Sequence, residues 1–198
     1  RKSWVDLALT YSGCSHFSNP YEDCHFPSDQ WPNGQLVQKA FKSKSDYYTE
    51  AIPQEGFDKI DEWLRLRHQN PLMNQRASLH LDLIGDASVV NQTASDATAF
   101  VHRDTICCAQ YITYWNADDD CSLVNENLDW VRGFYEAMRP WASDQSYQNY
   151  IDDDLTDWAQ RYYGSNLQKL RQIKSKYDPE NVFYFPQSIP PLDDGGRS

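Results

Sequence analysis

The hydrophobic pattern marks out a small set of elements. Residues 3–11 place Trp4, Leu7 and Leu9 among small residues and read as either a short helix or a strand. Ser45 to Ile52 reads as a strand. A helix is expected over about 55–69, entered at Pro53 and ended before Pro71, because Phe57, Ile60, Trp63 and Leu64 fall on one stripe. Core packing is the ordinary meaning of such a stripe. Ser78 to Leu83 alternates strictly, so Leu79, Leu81 and Leu83 share one face of a strand and His80 and Asp82 share the other.

Thr105 to Trp115 is rich in β-branched and aromatic residues and predicts another strand. Ser122 can cap a helix in which Leu128, Val131, Phe134 and Met138 recur at helical spacing until Pro140. Tyr147 to Asp152 reads as a short polar-aromatic strand. Thr156 to Tyr163 then predicts a short helix closed by Gly164, and Ser165 with Gln168 forms a capping-box pattern for a last helix carrying Leu167, Leu170 and Ile173. That helix must stop before Pro179. Strands and helices joined by long irregular stretches predict an α+β fold, an antiparallel sheet covered by helices.

Composition narrows the partners. With 40% hydrophobic and 24% charged residues over 198 positions, the chain can build one sizeable core, and no apolar run reaches membrane-spanning length. A formal net charge of -11 disfavours nucleic acid and anionic lipid as partners, while 13 Tyr, 7 Trp and 8 Phe supply rings that stack on sugars and flat cofactors. Solubility alone also accounts for the charge.

Five cysteines, Cys14, Cys24, Cys107, Cys108 and Cys121, lack the paired spacing of a structural zinc site, so no metal is expected. Cys14 and Cys24 bracket an irregular loop and could form a disulfide. Asn91-Gln92-Thr93 is a glycosylation sequon. The sequon, in a polar stretch, suits a secreted, extracellular protein.

The C-terminal quarter carries more order than local physics explains. Tyr147-Gln148-Asn149-Tyr150-Ile151-Asp152, Tyr162-Tyr163-Gly164, Tyr177-Asp178-Pro179-Glu180-Asn181-Val182-Phe183 and Phe185-Pro186-Gln187 occur in succession. This series resembles the end of the berberine-bridge-enzyme-like flavoproteins, a branch of the vanillyl-alcohol-oxidase type that includes fungal oligosaccharide oxidases and plant oxidative cyclases. Ser3-Trp4, Phe41 to Tyr47 and Phe100 to Arg103 extend the likeness upstream.

The resemblance implies FAD as cofactor, most of it held by an N-terminal FAD-binding domain or polypeptide with no counterpart here. It implies that residues 1–145 form most of a substrate domain and that 146–198 form a segment returning to the flavin domain. It also implies roles. Tyr150 resembles the active-site tyrosine and Asp82 the carboxylate paired with it; Asn149 resembles a flavin contact, beside Tyr150. Tyr147, His80, Cys108 and Gln110 would line the substrate pocket. Cys108 stands where the cyclase-type members place Glu or Gln, and a thiol is a poor substitute for a carboxylate base. The Cys107-Cys108 pair also reads simply as buried packing, and His102-Arg103 as a structural pair.

The expected reaction is oxidation of a hydroxyl group, with hydride passing to flavin and dioxygen yielding hydrogen peroxide. An oligosaccharide is the first expectation for the substrate. A secondary metabolite undergoing oxidation or ring closure is the second, and a non-catalytic carbohydrate-binding protein that keeps the fold is the third.

Overall fold

The computed structural model describes residues 3–11, 40–70 and 77–192, and the chain divides into residues 1–39 and 40–198. Within the first unit, α1 spans Trp4–Tyr11 and resolves the ambiguity there in favour of helix. Ser3 explains the choice: its hydroxyl accepts from the Asp6 N–H at 3.1 Å, while Asp6 takes the Ser3 hydroxyl at 2.7 Å. Cys14 and Cys24 lie outside the described residues, and with them the possible disulfide.

The second unit is built on three strands, β1 (Ala40–Tyr48), β2 (Ala77–Leu83) and β3 (Cys107–Trp115), in the antiparallel order β1-β3-β2. β3 is central because it is the most evenly buried and rich in β-branched and aromatic residues. Tyr47 pairs with Cys108, and Asp82 pairs with Cys108 from the other side. The period of two therefore puts Tyr47, Cys108 and Asp82 in one row on one face. The strand predicted from Ser45 begins earlier, at Ala40, and ends at Tyr48. β-propensity missed its first half because Lys42, Ser43 and Lys44 look like loop residues.

Helices cover the other face. α2 (Gln54–Gln69) and α4 (Cys121–Met138) pack there, with Ile60, Trp130, Val131, Phe134 and Met138 against Tyr48, Ala109 and Tyr111 of the sheet. Asp120, rather than Ser122, caps α4, accepting from the Leu123 N–H at 2.9 Å. α3 (Val89–Gln92) is one turn in the β2-to-β3 connection. Leu79, Leu81 and Leu83 do share the helix-side face, but exposure rises to 37% at Leu81 and 81% at Leu83 along β2, whose outer edge has no strand partner among the described residues.

The C-terminal part holds α5 (Trp158–Tyr163) and α6 (Leu167–Tyr177). The predicted capping box is replaced by a 3-10 turn at Gly164–Asn166, and Asn166 precedes α6 without a side-chain cap. The Asn166 amide instead donates to the Ser95 and Thr98 carbonyls at 2.6 and 3.1 Å, tying the helix start to the long connection. Residues 147–150 form a turn and not a strand, closed by Tyr150 N–H donating to the Tyr147 carbonyl at 2.9 Å.

Candidate functional site

Alternation along β1 sorts its side chains by chemistry. Lys42, Lys44, Asp46 and Tyr48 point to the helix side, while Ser43, Ser45 and Tyr47 share the opposite face with Gln110 and Cys108 of β3 and His80 and Asp82 of β2. The outer edge of β1 is occupied by the stretch before Tyr150. Tyr47 N–H donates to the Gln145 carbonyl at 3.2 Å, Tyr147 N–H to the Ser45 hydroxyl at 2.8 Å, and Ser146 hydroxyl to the Ser45 carbonyl at 3.0 Å. These bonds deliver the turn carrying Tyr147 and Tyr150 to the open face of the sheet.

Behind the sheet the same turn is anchored by charge. Asp152 meets Lys42 at 2.8 Å and Lys44 at 2.6 Å, and Asp154 meets Lys44 at 3.2 Å and Arg132 at 3.0 Å. Tyr162 and Gln187 close a further ring: Asp152 N–H donates to the Tyr162 hydroxyl at 3.0 Å, that hydroxyl donates to Gln187 Oε1 at 3.2 Å, and Gln187 Nε2 donates to the Asp152 carbonyl at 2.7 Å. The acidic run Asp152-Asp153-Asp154 thus serves as counter-charge to buried lysines.

The result is a cleft of about 350 Å³ lined by Tyr47, Asp82, Ile84, Val90, Phe100, Arg103, Cys108, Tyr147 and Tyr150. Its walls are aromatic. Tyr47 lies edge-on to Tyr147 at 6.3 Å, Tyr147 edge-on to Tyr150 at 5.0 Å, and Phe100 edge-on to both Tyr47 and Tyr147. Buried His102 stacks behind Tyr47 at 4.2 Å and takes Gln145 as its Nδ1 partner at 2.6 Å, which fixes the Tyr47 ring. A larger cleft of about 790 Å³ lies by Asp104, Asp144, Gln160 and Arg161, but it contains neither Tyr150 nor Asp82 and offers no aromatic wall.

Of the residues singled out by sequence, Tyr150, Asp82, Tyr147 and Cys108 come together here. His80 and Gln110, cross-strand partners, lie one step farther along the same face, outside the lining of the cleft. Asn149 is exposed, its amide donating to the Tyr147 hydroxyl at 2.8 Å. Tyr47, Phe100 and Arg103 were missed as site residues, although the β1–β3 register would have placed Tyr47 beside Cys108.

Titration follows the surroundings. Burial pushes the Tyr150 phenol up, and the neighbouring Asp82, Cys108 and Tyr147 push it further. Burial likewise raises the Cys108 thiol to about 12, against a lowering hydrogen bond from Tyr47, so at neutral pH it stays a thiol. Among the described residues no hydrogen bond or ion pair joins Asp82 to Tyr150 or to any cation, although both line the cleft.

For a flat flavin ring, the exposed Asn149 amide, the Tyr150 ring and the Gln148 Oε1, buried without a partner, make a suitable edge of donors, acceptors and aromatic surface. The cleft is too small for a dinucleotide. Among the described residues no glycine-rich loop would cradle phosphates. The donor set therefore fits the ring end of FAD and not its pyrophosphate.

Asn91, the asparagine of the sequon, is held by the fold. Its Nδ2 donates to the Gly85 and Thr105 carbonyls at 3.2 and 2.8 Å, which uses both amide hydrogens to hold the start of the β2-to-β3 connection. Cys107, Cys108 and Cys121 are free thiols.

Comparison with known proteins agrees with the fold. Residues 146–190 match the family described as Berberine and berberine like. An uncharacterized FAD-linked oxidoreductase, YgaK of Bacillus subtilis, is 33% identical over 81% of this chain and 33% of its own length. Reticuline oxidase of Papaver somniferum is 29% identical over 78% of this chain and 31% of its own. Among solved structures, Physcomitrella patens BBE-like 1 superposes with a TM-score of 0.74 at 30% identity, covering 95% of this chain and 37% of that one. Phl p 4, a grass pollen allergen with glucose dehydrogenase activity, superposes with a TM-score of 0.65 at 27% identity over 80% and 34%. The chain spans about a third of the length of the relatives it matches.

Proposed function

The chain belongs to the berberine-bridge-enzyme-like flavoproteins, as part of their C-terminal portion, and from that we propose that it works in an FAD-dependent oxidase acting on a hydroxyl group. The observation that carries the reading is the meeting of Tyr150 and Asp82 in one aromatic cleft.

FAD, when bound, supplies the hydride acceptor, and dioxygen takes the electrons to give hydrogen peroxide: an alcohol and dioxygen become a carbonyl and peroxide. This chain's residues do the positioning and the proton transfer. Tyr47, Phe100 and Tyr147 hold the substrate ring against the sheet and exclude water from one side. Asn149 and Tyr150 would hold the ring of the cofactor.

A phenol pushed above its ordinary value is a weak base alone. Tyr150 therefore takes the hydroxyl proton only as its own proton leaves for Asp82, in one relay that requires the Asp82 carboxylate to come within hydrogen-bonding reach of the phenol when substrate is bound. Cys108, kept protonated, takes no part as a base. That favours alcohol oxidation over ring closure, although reticuline oxidases are relatives. A carbohydrate is the substrate class proposed, supported by the aromatic walls and by the glucose dehydrogenase activity of Phl p 4.

The proposal extends to residues 146–198 as the segment that meets an FAD-binding partner or domain. Val182, Phe183 and Tyr184 are 74%, 79% and 69% exposed, yet the loop bearing them is tied to the end of α6: the Asp178 carboxylate accepts from the Val182 and Phe183 N–H groups at 2.7 and 3.1 Å. A preorganised apolar tip is a docking feature. Export from the cell is proposed on the family resemblance, and it does not require a glycan on Asn91, whose amide is donated to the Gly85 and Thr105 carbonyls.

Peroxide release from the flavin-loaded assembly, across sugars and across phenolic and alkaloid alcohols, tests the reading. Turnover of sugars supports it; turnover of alkaloids alone moves the substrate to secondary metabolism. A colourless intact assembly that binds sugar without turning it over makes the protein a binding module.

A further inference from the structure

The two outer edges of the sheet are finished differently. On β1, the Tyr47 N–H donates outward to the Gln145 carbonyl at 3.2 Å, and the Tyr47 carbonyl accepts from the Ser143 N–H and hydroxyl at 2.9 and 2.7 Å, so residues 143–147 cover that edge. A strand turns its backbone groups alternately to either side, and the outward bonds of Tyr47 therefore fix the phase of the whole ladder. Cys107 and Ala109 bond to β1, while Cys108 and Gln110 bond to Asp82 and His80 of β2. The N–H and carbonyl groups of Leu79, Leu81 and Leu83 point away from β3, along an edge with no strand partner among the described residues.

Nothing in the sequence of β2 blunts that edge. Ala77 to Leu83 contains no Pro, Lys or Arg, and its register against β3 runs without a bulge. The helix side is open as well: α4 lies over β3 and β1, and α2 packs on α4, while Leu81 and Leu83 remain exposed. Open backbone groups and exposed leucines on one strand are complementary to one kind of occupant, another strand with an apolar cover. The chain is part of the C-terminal portion of a flavoprotein and spans about a third of the length of its relatives, so the remainder of the protein is at hand to supply both. A second copy would instead bring together two chains of net charge -11.

We propose that the remainder of the protein adds a strand to the outer edge of β2, with apolar residues over Leu81 and Leu83, and that this strand completes the cleft. Residues directly opposite one another on paired strands share a face, so the partner of Asp82 in the added strand faces the cleft. The row of Tyr47, Cys108 and Asp82 thereby gains a further member. The wall beside this acid, and with it part of the substrate's surroundings, then comes from outside residues 1–198. The inference rests on the sheet and on the family, and not on the reaction proposed above.

A photocrosslinker tests it without turnover. With p-benzoylphenylalanine in place of Leu83 in the flavin-loaded assembly, irradiation is expected to join this position to a peptide from outside residues 1–198, identified by mass spectrometry. A crosslink to a second copy of this chain, a crosslink within residues 1–198, or no crosslink overturns the proposal.

A second readout needs no substitution. In the unaltered assembly the Leu79, Leu81 and Leu83 amides should exchange with deuterium on the order of a hundred-fold or more slowly than unpaired amides. Exchange at the unpaired rate overturns the added strand even where a crosslink forms. A crosslink and slow exchange with no alcohol oxidised remove the oxidase reading and leave the strand.

Discussion

The Lys44 ammonium meets the Asp152 carboxylate at 2.6 Å, with both side chains almost wholly buried, two residues beyond the Tyr150 phenol. Lys42 shares the same carboxylate. Asp152 therefore bridges two buried cations, which Asp153 and Asp154 help to neutralise, and fixes the turn that carries Tyr150. Removing its charge by Asp152→Asn leaves both ammonium groups short of a partner. A loss of about 3 kcal/mol in urea unfolding is expected, with Tyr150 displaced from the cleft. Stability within 0.5 kcal/mol of wild type, on the order of a neutral surface change, would show the pairs to be incidental.

The α2–α4 contact predicts a second sensitivity. A Cβ at Gly133 would sit 2.4 Å from Trp63 Cη2, and Trp63 is itself held parallel to Phe134 at 5.9 Å. Gly133→Ala should cost about 1–3 kcal/mol despite its better helix propensity, because the indole has to leave its stack. Thermal unfolding of the variant measures it, and a raised midpoint would mean that the indole moves freely.

Stability should also fall with rising pH in a defined window. Asp46 is fully buried beside Arg139, and burial pushes its carboxyl up to about 7 against the pull of that guanidinium. A folded-state value above the unfolded one means that the folded protein binds this proton more tightly. The associated stability is complete below about pH 4 and is lost as pH rises through about 7. Asp154 has the opposite sign: hydrogen bonds from Arg132, then Lys44, hold it low, so its contribution is lost in acid. In urea titrations Asp46→Asn should flatten the decline between about pH 4 and 7 and keep the acid limb. A wild-type slope retained in Asp46→Asn contradicts the assignment.

Asn91 offers a covalent test. With both amide hydrogens donated to Gly85 and Thr105, the side chain is committed to the fold. Peptide mapping should find Asn91 unmodified, and Asn91→Asp should destabilise by about 1–3 kcal/mol, since a carboxylate would face two carbonyl oxygens. A glycan found on Asn91 of the folded protein overturns the clamp.

Much of the framework was legible in sequence where a period could be counted. Leu79 to Leu83 gave β2 and its two faces, and Leu128 to Met138 gave α4, because alternation and helical spacing are local. β1 was only half visible. Lys42 and Lys44 look exposed in sequence and become buried through acids more than a hundred positions away. The turn at Tyr147 to Tyr150 reads as a strand because its aromatic residues carry β-propensity, while the bonds that place it against the sheet come from Ser45 and Tyr47. Tyr150 and Asp82 were named through family resemblance, and only the register of β1, β2 and β3 explains why they meet. Tyr47, Phe100 and Arg103 escaped notice because a cleft wall is a tertiary property.

The relay from substrate to Tyr150 to Asp82 is the centre of the account, and turnover of Tyr150→Phe in the flavin-loaded assembly tests it most directly. Losing the phenolic oxygen should lower kcat by on the order of a hundred- to ten-thousand-fold, while the matched change at exposed Tyr177 leaves it alone. If Tyr150→Phe turns over sugar as fast as Tyr177→Phe does, Tyr150 is not the base and the proposed chemistry fails.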